Sequence, residues 1–366
     1  MGESGHLRSQ LRCAVGPLCS ARVDPLTHVL LGASVSYVGW RHCLGRTAAL
    51  AGGLAAFAPD ADVFIRSAAD PLVAIEHHRG FTHAFAFAPI GATVVAALWL
   101  TRPYWRTRPR WLLVWSAALT GYLTHPFLDA ATSYGTQFLW PFSRYRAGWD
   151  LISIIDPLFT LTLLFGLILA LRRQTALPAT LALALAASYV GWGGVQHARA
   201  SHLQQQLAAT RGHTIERAEV MPTLANNIVW RALYEHNGRI YSDRIRVGWT
   251  SEPQVREGWS LPRVRVNDLS ETERRRDTQD SFARFAWFSD HWVARSPKDA
   301  GMLADMRYSL STEAFDPIWG IRYRPADEPT AVEWVNRSRD REVNGRELWD
   351  EIRGRDPRFK SLRLSD

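Results

Sequence analysis

Apolar segments dominate the first 200 residues, and they constrain the fold more than any other feature of the sequence. Windowed hydropathy places six of them, at residues 27–41, 46–65, 82–100, 111–131, 151–171 and 176–195. Segments of about 20 apolar residues match the thickness of a bilayer core. The sequence therefore predicts a mainly α-helical, polytopic membrane domain of about six hydrophobic helices. The alternative interpretation is the all-apolar helical core of a water-soluble protein.

The composition becomes charged near residue 200, which indicates a second, water-facing part of the chain. Asn237-Gly238 separates two strand-like segments, Ile228–Tyr234 and Arg239–Val247, and predicts a β-hairpin. We therefore expect a membrane-embedded domain at 23–199 followed by a small α+β domain at 200–366.

Residues 1–22 do not resemble the start of either domain. They carry three arginines but no apolar stretch long enough for a signal-peptide core. We expect them to be a doubtful N-terminal extension, with Val23 as the true start of the protein.

The charge balance argues against direct nucleic-acid binding. The chain has 43 basic and 35 acidic residues, and only Lys298 and Lys360 among the basic residues are lysine. Such an arginine bias is more typical of genome composition than of a nucleic-acid interface. The three cysteines, Cys13, Cys19 and Cys43, have no metal-ligand spacing and cannot form a disulfide framework.

Arginine is unevenly distributed among the loops between the six segments. The first, third and fifth loops hold eight arginines, whereas the second and fourth hold four. The positive-inside rule then places the first set in the cytoplasm. We expect the segment after residue 195, and with it the C-terminal domain, on the extracytoplasmic side.

Acidic residues are scarce in the apolar part, and most of them lie near histidines. Only eight occur from Asp24 to Arg199, and on insertion scales a carboxylate in a membrane segment costs about 2.5–3.5 kcal/mol. The polar clusters are Thr27-His28, Pro59-Asp60-Ala61-Asp62, His77-His78-Arg79-Gly80-Phe81-Thr82-His83, His125-Pro126-Phe127-Leu128-Asp129, and Asp150 with Asp156-Pro157. Alternating spans would bring all five clusters to one side of the membrane, opposite the arginine-rich loops.

This convergence predicts a metal site. His125 and Asp129 are four residues apart and share a helix face, so they can hold one cation or two adjacent ones. An isolated pair of this kind is more often an ordinary helix-surface contact. Carboxylate and imidazole ligands without cysteine suit zinc, manganese or iron. A carboxylate that bridges two cations would hold them about 3.5–4 Å apart and activate a shared water.

Arg79, between the histidines of the third cluster, has two interpretations. Its guanidinium could bind a phosphate through two hydrogen bonds, or it could pair with Asp62 or Glu76. The residues alone leave both open.

The same motifs carry a family resemblance. They are Asp24-Pro25-Leu26-Thr27-His28 with Gly32, Pro59-Asp60-x-Asp62, His78-Arg79-Gly80-x-Thr82-His83, His125-x-x-x-Asp129 and Asp156-Pro157. Together they resemble the YdjM-type inner-membrane metal-dependent hydrolases, a family also described as LexA-binding, over residues 23–200. The resemblance implies a location in the inner (cytoplasmic) membrane, a hydrolase activity and a link to LexA.

The order of these ligand types is more distantly similar to the superfamily of zinc-dependent phospholipase C and single-strand nuclease. That similarity implies one zinc held by Asp60, His83, His125 and Asp129, with Asp129 bridging to a second zinc that also takes His28. The chain lacks the N-terminal tryptophan ligand and a further pair for a third metal. The candidates to fill vacant positions are His78, Asp62 and Asp150. We expect His78 to be a metal ligand, and Asp62, Arg79 and Asp150 to be catalytic residues.

The leading hypothesis is a membrane-bound hydrolase with one or two divalent cations that cleaves a phosphoester through a metal-activated water. Its expected partners are the lipid bilayer and a small-molecule or lipid substrate. One alternative is an ion- or proton-coupled transporter or channel that uses the same acids and histidines. Another is a LexA-linked regulatory binding protein without catalysis, which the resemblance alone suggests.

Overall fold

The structure, a computed structural model, describes residues 25–309, 315–340 and 344–361. The expected extension at 1–22 and the expected start at Val23 lie outside the described residues. In the described part of the chain, seven helices precede the first strand: α1 Pro25–Leu44, α2 Arg46–Phe57, α3 Val73–His77, α4 Ala88–Ala97, α5 Arg108–Ala130, α6 Pro157–Arg173 and α7 Leu177–Thr210. Short 3-10 turns at Ala58–Phe64, Phe81–His83 and Phe85–Phe87 link α2 to α4 on either side of α3.

Helices α1, α2 and α5 form the centre of this part because glycines let their backbones approach closely. A Cβ on Gly121 of α5 would lie 2.2 Å from the carbonyl oxygen of Gly52 in α2, and a Cβ on Gly32 of α1 would lie 2.4 Å from the Cβ of Ala56. Small residues at such positions allow tight helix packing. Ser36 of α1 also donates a hydrogen bond to the carbonyl of Ala117 in α5, at 2.8 Å. The polar clusters at the ends of these helices are thereby held close together.

The prediction of about six membrane-spanning helices is wrong. Among the described residues only α7 is long and apolar enough to cross a membrane, and the bent pair Val73–His83 and Phe85–Thr101 adds at most one more. Helices α2, α4 and α6 have 12, 10 and 17 residues, fewer than the ~20 that a bilayer core requires. α1 and α5 are longer, but they are interrupted by polar groups such as His28, Ser36 and Asp129.

The residues after α7 form two antiparallel sheets. The first has the strand order β1-β2-β3-β4-β9 and the second the order β5-β6-β7-β8. The strands are β1 Arg217–Pro222, β2 Val229–His236, β3 Arg239–Arg246, β4 Gln254–Pro262, β5 Val293–Ser296, β6 Asp299–Asp305, β7 Trp319–Tyr323, β8 Val332–Asn336 and β9 Lys360–Ser361. The accompanying helices are α8 Glu271–Arg276, α9 Ser281–Phe288 and α10 Gly345–Arg353.

The hairpin predicted at Asn237-Gly238 is confirmed. Strands β2 and β3 pair in antiparallel register from Val229 with Arg246 to His236 with Arg239. Both turn residues have positive φ, 49° and 68°, as a two-residue type I′ turn requires. The change in composition at residue 200 falls inside α7, because this helix continues to Thr210, and its last turns pack on the first sheet.

The second sheet and α9 pack against the segment that precedes the histidine cluster. Leu72, Ile75 and Tyr134 are buried in one apolar core with residues such as Phe285 and Trp319. Beside this core, Arg284 of α9 pairs with Asp70 at 2.7 Å and with Glu76 at 2.6 Å. The C-terminal residues therefore hold the chain that leads into His78 and Arg79.

We expect the Arg284 ion pairs to stabilise this segment. Arg284→Met should cost about 1.5–3 kcal/mol, since it removes partly buried hydrogen bonds between charged groups. Hydrogen exchange measured by mass spectrometry should show faster exchange at residues 70–83. Arg275→Met is the matched control, because Arg275 pairs with Glu271 at 3.0 Å on the surface, with side chains 78% and 69% exposed, where such pairs contribute little. Equal exchange in both variants would contradict the prediction.

Candidate metal centre

The first turn of α1, the residues that follow α2, the turn Phe81–His83 and the C-terminal end of α5 meet at one buried point. His28 lies in the first turn of α1, Asp60 in the 3-10 turn after α2, and His83 in the turn Phe81–His83. His125 and Asp129 lie one turn apart at the C-terminal end of α5. Tight packing of α1, α2 and α5 brings their ends together, so residues far apart in sequence become neighbours.

Asp129 is the centre of this cluster. Its Oδ2 lies 3.2 Å from Nε2 of His83 and 3.3 Å from Nε2 of His125, and its Oδ1 lies 3.2 Å from Nε2 of His28. Oδ1 of Asp60 is 3.8 Å from Nε2 of His83 and 3.6 Å from Nε2 of His125. The residues form two groups, and within each group the donor atoms lie within 4.8 Å of one another. One group is Asp60, His83 and His125, and the other is His28, His125 and Asp129.

The converging atoms are buried but make no hydrogen bonds. This holds for both carboxylate oxygens of Asp60 and of Asp129 and for Nε2 of His83 and His125. Buried polar atoms normally find partners, because leaving them unpaired costs about 1–3 kcal/mol each. Two carboxylates and two imidazoles directed at one point fit a divalent cation, and the donor set suits zinc, manganese or iron.

The histidine rings are oriented by partners on their far sides. Nδ1 of His125 lies 2.6 Å from the carbonyl oxygen of Ala56 in α2, so Nδ1 carries the proton and Nε2 presents its lone pair to the cluster. Nδ1 of His83 lies 3.0 Å from the hydroxyl of Thr82 and 3.5 Å from Asp62. The rings of His28 and His125 stack with centroids 3.8 Å apart. Outer partners of this kind are typical of metal-binding histidines.

The ionisation of the cluster also favours a cation. Burial alone would raise the pKa of Asp60, but the close approach of His83 and the electrostatic attraction of His125 and His83 lower it to about 2. Burial likewise opposes ionisation of Asp129, yet Arg79 and the histidines hold its pKa well below the usual range. Burial and the neighbouring His28 lower the pKa of His125 to about 4. Both carboxylates are therefore charged and His125 is neutral, as metal ligands must be.

His83 differs from His125 in its protonation state. Burial lowers the pKa of His83, but the carboxylates of Asp129 and Asp60 raise it to about 9. The proton on His83 thus balances part of the negative charge, and a bound cation would replace it.

Arg79 pairs with the cluster itself, through Asp129. Nη2 lies 3.0 Å from Oδ1 of Asp129, and Nη1 donates to the hydroxyl of Thr132 at 3.0 Å. Arg79 has a φ of 56°, which is uncommon outside glycine, and its backbone N–H donates to Asp62 at 2.7 Å. Thr132 was missed by the sequence reasoning; it lies just beyond the end of α5, and its hydroxyl also donates to the carbonyl of Asp129 at 2.8 Å.

Three other predicted site residues lie behind or away from the cluster. Asp62 faces the outer nitrogen of His83 and pairs with Nδ1 of His78 at 3.1 Å. His78 therefore contacts Asp62 instead of the converging donor atoms. Asp150 hydrogen-bonds Ser133, and burial together with the charge of Asp290 raises its pKa to about 6. The sequence places Asp62 and His78 close to Asp60 and His83, which suggested that all four act in the site. The structure shows that Asp62 and His78 lie on the outer side of the His83 ring instead.

Asp156 has a structural role that accounts for part of its motif. Its side chain accepts a hydrogen bond from the backbone N–H of Phe159 at 3.2 Å and caps α6, which begins at Pro157. The hydroxyl of Tyr189 also donates to Asp156, at 2.8 Å.

A small cavity adjoins the cluster on the side of Asp129. It has a volume of about 20 Å³ and is lined by His28, Arg79, Asp129, Thr132 and Asp156, among others. This is room for a water molecule beside the carboxylate and the guanidinium.

The fold and the buried cluster define the class, a protein with a helical part and two antiparallel sheets. Its helical part has a candidate membrane helix, and a candidate metal centre lies at the ends of its packed helices. Residues 23–200 match the sequence model of the family described as YdjM inner membrane protein, and this segment belongs to that family, as the motifs implied. Association with the membrane follows from the family, while the sidedness derived from the arginines stays a prediction.

The comparison with curated proteins extends the similarity beyond this segment. The chain is 24% identical over 302 residues to the uncharacterized protein YfhP of Bacillus subtilis (strain 168), a match that covers 78% of this chain and 87% of that protein. So large a share of this chain must include residues after 200. No solved structure matches the chain, and the distant similarity to phospholipase C and single-strand nuclease stays a prediction.

Proposed function

We propose that the protein is a membrane-bound, metal-dependent hydrolase that acts on a phosphoester. The observation that carries the proposal is the buried convergence of Asp60, His83, His125 and Asp129, whose facing oxygen and nitrogen atoms have no hydrogen-bond partners. Arg79 balances the charge of Asp129, but a structural role alone does not explain why a second carboxylate, that of Asp60, is buried at the point where three histidines meet.

The four residues would hold one divalent cation, with zinc favoured and manganese or iron suitable. Bound there, such a cation would lower the pKa of a coordinated water and withdraw charge from a phosphoryl oxygen. Asp62 and Thr82 orient His83, and the carbonyl of Ala56 orients His125. Their contacts fix which ring nitrogens face the cation.

Arg79 and His28 lie on the other oxygen of Asp129 and border the cavity. A guanidinium beside Oδ1 supplies positive charge where a second cation would otherwise bind, so we propose a single cation. The same guanidinium can hold a phosphoryl oxygen by a charge-assisted hydrogen bond. His28 lines the same cavity and lies 3.2 Å from Asp129. Its ring could therefore exchange a proton with a group bound in the cavity.

Removal and return of metal test this proposal. The detergent-purified protein should contain about one equivalent of a divalent cation, since four donors form one site, and should hydrolyse bis(p-nitrophenyl) phosphate. Treatment with a chelator should abolish turnover, and zinc or manganese should restore it. Lys298→Met is a control, because Lys298 pairs with Asp316 and is 63% exposed in the C-terminal part.

Two outcomes would contradict the proposal in different ways. If the purified protein contained no stoichiometric metal, the proposed metal site would be wrong. Bound metal without turnover on mono- or diesters would keep the site but favour a transport or regulatory role.

A further inference from the structure

A hairpin rich in exposed aromatic residues extends from the metal centre. Its base is the antiparallel bridge between Thr136 and Ala147, whose backbones exchange hydrogen bonds of 3.0 and 2.9 Å. The tip exposes large apolar side chains, with Phe142 88%, Tyr145 60% and Trp140 39% accessible. We call residues 136–147 the aromatic hairpin.

The aromatic hairpin is hydrogen-bonded to residues that lie close in sequence to the candidate metal ligands. The backbone N–H of Gln137 donates to the carbonyl of Arg79 at 3.0 Å, and Phe85 donates to the carbonyl of Phe138 at 3.0 Å. Just after the hairpin, Trp149 donates to the carbonyl of Ala130 at 2.7 Å, next to Asp129. The aromatic hairpin therefore lies next to the cluster of Asp60, His83, His125 and Asp129.

Helix α7 shows where the aromatic hairpin and the cluster lie relative to a membrane. Its first part, about residues 177–195, rises about 28 Å, close to the ~30 Å of a bilayer core. Leu177, Leu181 and Leu185 form an outward stripe, 64%, 55% and 64% exposed. One face of the second part packs on protein, where Gln196 donates to the carbonyls of Asn227 and Val247.

The boundary between the two parts of α7 lies against Leu151, in the loop that follows the aromatic hairpin. A Cβ on Gly193 would lie 1.9 Å from the carbonyl oxygen of Leu151, so the helix backbone touches this loop there. Leu151 in turn donates its N–H to the carbonyl of Ala131 at 2.9 Å. Trp192 and the half-exposed Trp249 meet at the same height, with ring centroids 6.2 Å apart. Tryptophan and tyrosine are enriched at membrane–water interfaces.

We propose that the aromatic hairpin lies in the headgroup layer of the membrane, with Trp140, Phe142 and Tyr145 among the lipids. The family's membrane association identifies the partner as a bilayer. The combination of exposed rings with the exposed Arg144 fits an anionic, amphipathic layer better than an apolar protein surface. The metal centre would then lie near the depth of lipid phosphates.

Quenching by lipid-attached nitroxides tests the position of the hairpin. Phe142→Cys is made in the full chain with Cys13, Cys19 and Cys43 replaced by serine, labelled with a polarity-sensitive fluorophore and reconstituted into phosphatidylcholine–phosphatidylglycerol vesicles. A nitroxide on the lipid headgroup should remove most of the fluorescence at position 142. The same label at Trp259→Cys, a residue that is 66% exposed on β4, should keep it.

Equal quenching at both positions, or none at 142, would overturn the proposal. Tyr145→Cys provides a second position in the hairpin, so that a folding failure at 142 does not prevent a decision. The result does not depend on hydrolase activity.

The substrate class follows if the proposed function also holds, and this step rests on it. Phe142→Ser should reduce hydrolysis of phospholipid in vesicles about tenfold or more, as expected when burial of a large side chain in lipid is lost, and should leave hydrolysis of soluble bis(p-nitrophenyl) phosphate unchanged. Equal loss on both substrates would contradict a lipid-presenting role. Absence of turnover on either substrate in the wild-type protein would contradict the proposed function, while the quenching result would still place the hairpin.

Discussion

Asp129→Asn is expected to lower the affinity for the bound cation by at least about 100-fold, because changes in outer-shell partners alone cost 10–100-fold. The substituted asparagine would have nearly the shape of aspartate but would lack its charge. Asp129 approaches His28, His83 and His125 within 3.2–3.3 Å. It also approaches Arg79 within 3.0 Å. No other residue of the cluster contacts all of these groups, so no other single change should remove as much of the site.

The same substitution should also destabilise the metal-free protein. Arg79 is 2% exposed, and it would lose the carboxylate that balances its charge. Removing one partner of a buried ion pair typically costs about 3–5 kcal/mol. Titration with zinc, followed by calorimetry or by competition with a chromogenic chelator, measures the affinity, and thermal unfolding in detergent measures the stability.

Asp150→Asn is the matched control for Asp129→Asn. Asp150 is a buried aspartate near the hairpin, but it lies outside both sets of converging donor atoms. Its substitution should leave the zinc affinity within a few-fold of wild type. If Asp129→Asn bound zinc as tightly as Asp150→Asn, the metal centre would have to be abandoned. His125→Gln adds a second test should Asp129→Asn fail to fold.

Much of this site could be predicted from the sequence because its chemistry is local. Carboxylates and histidines stand out in an apolar background, and the spacing of His125 and Asp129 defines a shared helix face. The structure brings both residues together with His28, Asp60 and His83. The separate contributions of Asp62 and His78 could not be predicted, because they depend on which nitrogen of His83 faces which carboxylate.

The membrane architecture could not be predicted from the same hydropathy. A window of apolar residues does not show whether they form one helix: residues 46–65 form α2, a 12-residue helix, and then a 3-10 turn at Pro59. Many residues in these segments are alanine and glycine, whose burial against neighbouring helices explains their apolar character as well as lipid does. Local turn chemistry was more reliable, as the hairpin at Asn237-Gly238 shows.

Gly121→Ala is expected to lower the stability of the fold although it leaves every polar group in place. The added Cβ would lie 2.2 Å from the carbonyl oxygen and 2.4 Å from the Cα of Gly52. These neighbours are backbone atoms and cannot rotate away, so α2 and α5 must separate. Overpacking typically costs about 1–3 kcal/mol, which for a chain of 366 residues corresponds to a fall in Tm of about 1–4 °C.

The effect of Gly121→Ala should reach the metal centre because the two contacts are consecutive along one interface. Gly121 precedes His125 by one turn of α5, and Gly52 precedes Ala56 by one turn of α2. Separation of the helices at the glycines lengthens the 2.6 Å hydrogen bond from His125 to Ala56, so zinc affinity should fall together with Tm. Gly39→Ala is the control, since a Cβ there meets nothing within 4 Å and alanine favours helix by about 1 kcal/mol. A Tm for Gly121→Ala that equals or exceeds that of Gly39→Ala would show that α2 and α5 do not pack through these glycines.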